Sequence, residues 1–337
     1  MRLYLKHITY LQLAKRLLCA LLPLWLMASC MKDTSGEFVP ANDSSLNDST
    51  WYETLSRTAA VFSVDSVLNA SVSVYVDSVS AETGGTVTFA DGSSVFCPAG
   101  FCNGNTTAKV KIELLVLHTK GDYVRFAKPT STYDKLLESA VTFRIRLTQN
   151  GQPVSLASGA YLGVQFRSGV LGSPIHLYYG DTASIYPGNF TWAPYVQDDN
   201  SIQAFQELDA GTNTMVNGYR MMIRKTGWIS CQYYSNYSSR IRLSVIVPPN
   251  YTNANTAVYA IVQSANTIVR LTPDVHSRTF FANISGGTQV TLVSISKRGG
   301  NLYWDSSQIT VSSDGTPAYL HPVQTTKEQI VTMLNAL

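Results

Sequence analysis

Short segments in which apolar and polar residues alternate, each followed by a turn signal, restrict the fold of this chain more than any other feature. Residues 141–147 alternate with a period of two, and Asn150-Gly151 then provides the positive φ angles of a tight hairpin turn. Asp91-Gly92 provides the same signal after residues 86–89. Turn signals recur about every 8 to 12 residues, a spacing typical of antiparallel sandwiches. The sequence therefore predicts an all-β fold.

The predicted strands form two groups on either side of residues 169–200, which are rich in Gly, Pro, Ser and aromatic residues and show no sustained period. We expect two antiparallel β-sandwich domains, the second of them Ig-like or related. In the first strand, Val72, Val74 and Val76 should face the core. The two groups are residues 71–77, 86–89, 94–96, 109–117, 141–147, 153–156 and 161–166, followed by residues 221–223, 240–247, 257–262, 267–271 and 289–296.

The chain ends with a different period. Ile330, Met333, Leu334 and Leu337 recur at helical spacing, and the sequence Thr-Thr-Lys-Glu at 325–328 fits a capping box. This pattern predicts a short C-terminal helix over residues 326–337. Because a helix of this length is marginal alone, we expect it to pack on the second β domain, with a partner protein as the alternative.

The first 29 residues have the composition of an export signal. They carry four basic residues and no acidic residue, and an apolar run of about 11 residues ends at Ala28-Ser29, before Cys30. The run is too short for a membrane-spanning helix, which needs roughly 20 residues. A buried amphipathic helix would not account for a stretch that is apolar all round. We therefore predict a signal peptide over residues 1–29.

The sequence Leu-Met-Ala-Ser-Cys at 26–30 resembles the lipobox of bacterial lipoproteins. The resemblance implies cleavage before Cys30 and acylation of its thiol and amine, with palmitate among the chains that anchor the protein. The sequence Met-Lys-Asp at 31–33 resembles the surface-export signal of some Gram-negative lipoproteins, although an ordinary polar tether explains it equally well. We expect the protein on the outer membrane of a Gram-negative bacterium, lipid-anchored at the cell surface.

Removal of the signal changes the charge balance. The chain carries 25 Lys and Arg residues and 22 Asp and Glu residues, so that 21 basic residues remain once the four in the signal are gone. Charged residues make up only 14% of the chain, against about 25% in typical domains. This near-neutral balance gives no electrostatic reason to expect nucleic acid or anionic lipid as a partner.

Three cysteines remain in the folded part of the predicted mature chain. Cys97 and Cys102 flank a short loop, and in an oxidising compartment they either form a disulfide or stay as two thiols. Cys231 should then be a buried thiol that packs as a small apolar group. No second cysteine pair or histidine pair stands at ligand spacing, so we predict neither a metal site nor a cofactor.

An ordered set of short motifs resembles the ZU-type β-sandwich, which occurs in ankyrins and netrin receptors and, in diverged form, in bacterial surface lipoproteins. The resemblance covers residues 70–168 and implies a scaffold or binding role, since the ankyrin module is a docking surface without a cofactor. Cys97, Cys102 and Ala140-Val141 depart from the pattern. The motifs are Gly-Gly-Thr-Val-Thr at 84–88, Asp-Gly at 91–92, Pro-Ala-Gly-Phe at 98–101, Val-Lys-Ile-Glu at 110–113 and Asn-Gly-Gln-Pro-Val at 150–154.

A second stretch, Gly-Trp-Ile-Ser-Cys-Gln-Tyr-Tyr at 227–234, resembles one found in the same lipoproteins, with Ser230 and Gln232 in place of Asn and Asp. We expect it to be structural, with Trp228 anchored in the core. The predicted organisation of the chain is a signal peptide (1–29), a lipidated flexible tether (30–50), a helical or irregular lead-in (51–69), a ZU-like sandwich (70–168), an interdomain passage (169–200), a second sandwich (201–325) and a C-terminal helix (326–337).

No catalytic motif stands out in the sequence, and the aromatic residues are the best material for binding. We expect a non-enzymatic surface module for binding or assembly, with a glycan or another envelope protein as its partner. The alternative is a glycan hydrolase that uses two carboxylates among Asp198, Asp199, Glu207 and Asp209. The candidate ligand-binding aromatics are Tyr178, Tyr179, Trp192, Tyr195, Tyr233, Tyr234, Tyr303 and Trp304.

Overall fold

The computed structural model describes residues 49–69, 72–105, 107–131, 136–168, 174–181, 190–195, 201–209, 213–235 and 240–337. These residues belong to one compact unit and are mostly strand, so the predicted all-β class is confirmed. Four sheets, here called A to D, stack in pairs as two sandwiches. The signal segment, Cys30 and most of the tether lie outside the described residues.

Sheets A and B form the first sandwich. In spatial order, sheet A contains β1 (Tyr75–Ser80), β4 (Lys109–Leu117), β5 (Leu137–Gln149), β12 (Gly227–Tyr234), β8 (His176–Asp181) and β9 (Thr191–Pro194), with β6 (Gln152–Pro153) paired to β5. Sheet B contains β10 (Ile202–Asp209), β11 (Thr214–Ile223), β7 (Leu162–Arg167), β3 (Ser94–Cys97) and β2 (Gly85–Thr88).

Alternation along the strands builds the core between these two sheets. Ile112 and Leu114 of β4 and Phe143 of β5 are fully buried and face Val164 and Phe166 of β7. The rings of Phe143 and Phe166 lie 4.6 Å apart between their centroids. The predicted hairpin after β5 is confirmed, since Asn150 and Gly151 have φ angles of 51° and 78°.

The strands divide between the sandwiches differently from the sequence prediction. β10 and β11 extend sheet B, and β12, β8 and β9 extend sheet A, so the first sandwich continues to Tyr234. Residues 169–200 were expected to separate two domains, but β8 and β9 lie within that range. Alternation shows which face of a strand is buried and carries no information about the strand with which it pairs.

The first strand also has a different face toward the core. Tyr75 and Val79 point inward, whereas Val74 and Val76 are 41% and 51% exposed. The prediction that Val74 and Val76 face the core of this sandwich is therefore wrong. The register pairs Tyr75 with the buried Leu114, and a strand offset by one residue turns every side chain to the opposite face.

Sheets C and D form the second sandwich. In spatial order, sheet C contains β16 (Thr272–Asp274), β17 (Thr279–Ser285), β13 (Arg240–Ile246) and β20 (Ala318–Tyr319), of which the last pairs in parallel. Sheet D contains β15 (Ile268–Arg270), β14 (Thr256–Val262), β18 (Gln289–Arg298), β19 (Asn301–Thr310) and β21 (Val323–Thr325).

A layer of three helices covers the outer face of sheet D. The helices are α1 (Ala60–Leu68), α2 (Lys120–Arg125) and α3 (Lys327–Asn335). They bury Tyr259 of β14 and Trp304 of β19. All seven residues of β14 are consequently buried, because the strand is covered on both faces.

The C-terminal helix is confirmed, and it packs within its own chain. Thr326 is the N-cap residue and forms a capping box with Gln329, one residue later than predicted. Ile330 and Leu334 are fully buried against the other helices and sheet D. Helices α2 and α3 are so close that a Cβ atom on Gly121 would lie 2.0 Å from the backbone oxygen of Leu334.

Polar contacts join the two sandwiches beside this layer. The Thr130 amide donates to the carbonyl of Ile268 at 2.7 Å, and the Asn266 side chain donates to the carbonyl of Ser139 at 2.8 Å. The Ser139 hydroxyl continues into sheet A through Thr142 and Ser230, at 3.0 Å and 3.3 Å. These hydroxyl groups are all buried.

Replacement of Gly121 by Ala should lower the free energy of unfolding by about 1–3 kcal/mol, because the added methyl group forces α2 away from the backbone of α3. Denaturant titration measures the change. Thr332→Ala, at an exposed position of α3, should change stability by less than about 0.5 kcal/mol. Equal stability of the two variants would contradict the close contact.

Candidate binding groove on sheet B

The outer face of sheet B carries a groove whose floor is a glycine. Gly163 of β7 pairs with Phe96 of β3 on one side and with Met222 of β11 on the other. The Phe96 and Met222 side chains are 43% and 42% exposed, so they form apolar walls on either side of the missing side chain. The groove encloses about 270 Å³.

A polar row runs parallel to the apolar one, two residues further along each strand. It consists of Ser94, Gln165, Arg220 and Gln203, which are neighbours in register across four strands. All four residues line the groove. The site therefore combines an apolar trough with a row of amide, hydroxyl and guanidinium groups.

The Arg220 side chain is held in place by three contacts. Its Nε donates to Oε1 of Gln165 at 3.0 Å, and its Nη2 donates to Oε1 of Glu207. The guanidinium carbon lies 4.8 Å from the ring centroid of Phe205. Since both Arg220 and Glu207 are about half exposed, the ion pair contributes little stability and chiefly fixes the positions of the two groups.

A second glycine explains why Phe205 can support Arg220. Gly218 is the cross-strand partner of Phe205, and a Cβ atom on it would lie 2.6 Å from the ring. The ring therefore lies close to the bare backbone of β11 at Gly218 and is only 8% exposed, although it is on the outer face. Without a side chain at residue 218, the aromatic ring becomes part of the support of the site.

These groups favour binding of a flat molecule rich in hydroxyl groups. An aromatic face and a thioether can contact the apolar face of a sugar ring. The Gln165, Gln203 and Arg220 side chains offer donors, and the Glu207 carboxylate offers acceptor lone pairs at the rim. Donors and acceptors that are already in position lose little conformational entropy when a ligand binds.

The aromatic residues proposed from the sequence do not form one site. Tyr178, Trp192 and Trp304 are buried, and Trp192 donates its Nε1 proton to the carbonyl of Pro129 at 2.6 Å. Tyr178 and Trp192 belong to a small buried cluster with Leu137 of sheet A, and Trp304 belongs to the cluster under the helical layer. Because these three side chains are buried, none of them is accessible to a ligand in this structure.

The other five candidates are partly or well exposed but are scattered over both sandwiches. Tyr179 and Tyr195 stack on each other at 5.0 Å, and burial raises the pKa of Tyr179 to about 12. Tyr234 contacts His176, and Tyr303 contacts Tyr251. Tyr233 is half-buried, and burial followed by its contact with Glu138 raises its pKa.

Of the four carboxylates considered for a hydrolase, Glu207 is the one whose side chain lies among the described residues. Glu207 pairs with Arg220 at the rim of the groove, and the Asp209 side chain is outside the description. Asp198 and Asp199 also lie outside the described residues. Within the described part of the chain, no group of three or more His, Cys, Asp or Glu residues could hold a metal ion.

Sequence reasoning missed Phe96, Gly163 and Met222. One signal was present, since Gly163 interrupts an otherwise regular strand, and a glycine within a strand indicates a close approach of ligand or backbone. The walls could not be found in this way because Phe96 and Met222 are 126 positions apart in the sequence and meet only through the register of β7.

No family model fits the sequence, and no curated protein is significantly similar to it. None of the helices in the described residues has the length and apolar character needed to cross a membrane.

The three described cysteines are free and buried, so the proposed disulfide between Cys97 and Cys102 is not formed in this structure. Burial raises the pKa of Cys97 to about 12, with a smaller effect of Cys102. Burial also raises the pKa of Cys231, whose Sγ lies 3.5 Å from Sδ of Met221. Because the thiolate is the reactive form, all three thiols should react slowly in the folded protein.

Alkylation in denaturant without reductant should label both Cys97 and Cys102, and peptide mass spectrometry counts the labels. In the folded protein at pH 8, the same peptide should remain almost unlabelled, because burial keeps the Cys97 thiol protonated well above this pH. If the denatured protein takes up the two labels only after reduction, the cysteines are bonded and the free thiols of this structure are wrong.

Proposed function

We propose that this protein is a non-enzymatic binding module of the cell envelope and that the groove on sheet B binds a neutral glycan. The observation that carries the proposal is the row Phe96, Gly163 and Met222 beside the polar row of Gln165 and Arg220. An aromatic wall supplies stacking, and fixed amide and guanidinium donors supply hydrogen bonds to hydroxyl groups.

The dimensions of the groove support a short stretch of sugar residues. A volume of about 270 Å³ lies just below the range for small-molecule sites, which starts near 300 Å³, as expected for a shallow groove. The groove is on an open sheet face and not in a closed cavity, which favours a chain that enters and leaves the site. The Arg220 charge is balanced by Glu207, which favours a neutral ligand over an anionic one.

We further propose a lipid anchor at Cys30 and a place on the cell surface, from the resemblance to the lipobox and to the export signal. The resemblance to the ZU-type module, in which the sandwich acts as a docking surface, supports a binding role rather than catalysis. A sandwich fold alone is compatible with many functions, so the proposal rests on the groove.

Phe96→Ala and Gly163→Ala should each weaken glycan binding by about tenfold or more, which corresponds to about 1.4 kcal/mol. The first change removes the aromatic wall, and the second places a methyl group on the floor. Glycan-array screening of the full-length protein identifies a ligand, and calorimetric titration then measures the affinity of each variant for that ligand.

Two features keep this experiment interpretable. A Cβ atom on Gly163 meets Phe96 atoms no closer than 3.4 Å, so Gly163→Ala fits without a backbone clash. Tyr319→Ala is the matched control, since Tyr319 is a 58% exposed aromatic residue on sheet C. A blank array, or equal loss in Tyr319→Ala, would rule the groove out, and shortening of the bound glycan would indicate a hydrolase instead.

Cys30→Ala should abolish lipid attachment, since the thioether bond needs the cysteine thiol. The variant should leave the membrane fraction and should not incorporate labelled palmitate, whereas Cys231→Ala should retain both properties. Continued labelling of the Cys30→Ala protein would disprove the anchor without affecting the proposal for the groove.

A further inference from the structure

The opposite side of the first sandwich has a very different surface. On the outer face of sheet A, Lys109 and Lys111 of β4 and Arg144 and Arg146 of β5 project to the same side, because alternate residues of a strand share a face. The register pairs Arg146 with Glu113 and Arg144 with Leu115. We call the four cationic side chains the basic face.

Among the described residues of this surface, the carboxylate of Glu113 lies close to several cations. Nζ of Lys111 lies 2.8 Å from Oε1 of Glu113, and Nη1 of Arg146 lies 3.6 Å from Oε2. The hydrogen bond from Lys111 is the largest cause of a lowered pKa at Glu113, followed by the charges of Lys111, Arg146 and Arg144 acting against partial burial. One negative charge therefore lies among four positive ones.

The fold holds the positive charges close together and leaves Lys111 and Arg146 accessible. Lys111 and Arg146 are 47% and 52% exposed. The guanidinium of Arg144 lies 5.5 Å from the ring centroid of Trp228, and the ammonium of Lys128 lies 5.2 Å from the same ring. Burial and then the charge of Arg146 lower the pKa of Arg144, as expected for cations confined at short range.

The spacing of the charges favours an extended polymer. Alternate residues on one strand are separated by about 6.6 Å, and neighbouring strands by about 4.8 Å. Cations spread over two strands in this way can meet successive anionic groups of an extended chain. The surface is flat, so the partner must also lie flat.

We propose that the basic face binds an acidic polysaccharide, with the guanidinium of Arg146 and the ammonium of Lys111 pairing with carboxylate or sulfate groups on successive sugars. Charge complementarity carries this proposal. A lipid bilayer is the weaker candidate, because interfacial binding needs large apolar side chains, and the exposed apolar residues beside the basic face are Val74 and Val76.

The test uses the full-length protein with polygalacturonate as the acidic polymer and dextran as the neutral one. Binding to polygalacturonate should weaken steadily as salt is raised from about 0.05 to 0.5 M, since screening shortens the range of the attraction. Arg146→Glu should lower the affinity by about tenfold or more, because it removes one favourable charge and adds an unfavourable one.

Two further variants make the result decisive. Arg278→Glu reverses an exposed arginine on the second sandwich and should stay within about twofold of the unmodified protein. Glu113→Gln removes the carboxylate among the cations and should tighten binding about threefold, a change that misfolding cannot imitate. Circular dichroism checks that each variant folds.

The proposal is overturned if polygalacturonate does not bind, if binding does not depend on salt, or if Arg146→Glu and Arg278→Glu weaken it equally. It is also overturned if vesicles with anionic headgroups bind and polygalacturonate does not. Phe96→Ala should leave polygalacturonate binding unchanged, since the groove lies on the opposite sheet. The experiments can therefore disprove binding at one surface without disproving binding at the other.

Discussion

The central strands of sheet D, β14 and β18, are buried on both faces, and the architecture of the described chain depends on how the outer face is covered. β14 is buried along its whole length, which is possible only if one face meets sheet C and the other meets the helices. Those helices come from three distant parts of the chain: the segment before the first strand, the loop after β4, and the C-terminus. Burial of this one face therefore brings the first helix, α1, and the last helix, α3, into one cluster.

The same requirement explains why the two sandwiches form one unit. The end of β4 contributes Leu115 and Leu117 to the cluster under the helices, so the outer face of sheet A is partly covered as well. Hydrogen bonds from the turn around Asn266 to residues 130 and 139 then close the edge of this junction. The described residues leave two surfaces of the first sandwich uncovered: the outer face of sheet B and the part of sheet A that carries Lys109 and Lys111. Both proposed binding surfaces lie on these open faces.

The local features of this fold could be predicted from the sequence, and the long-range features could not. The apolar segment 109–117 identified β4 over its full length, and Asn150-Gly151 identified a hairpin, because both signals are contained in a few neighbouring residues. The partner of each strand is not encoded in this way. The structure pairs β10 to β12 with strands of the first sandwich and buries Trp192, because pairing and burial are decided by residues far away in the sequence.

The distribution of charge shows most clearly that long-range features could not be predicted from the sequence. The near-neutral composition of the predicted mature chain gives no reason to expect nucleic acid or anionic lipid as a partner, since an average over the chain gives no long-range attraction. Short-range pairing depends instead on which charges share a face, and the register of β4 with β5 places Lys111 and Arg146 on either side of a single carboxylate. At physiological ionic strength the screening length is about 8 Å, so a ligand at this surface experiences the local excess and little of the compensating charge elsewhere. A neutral chain can therefore present a cationic surface, and the arrangement of its strands determines where that surface lies.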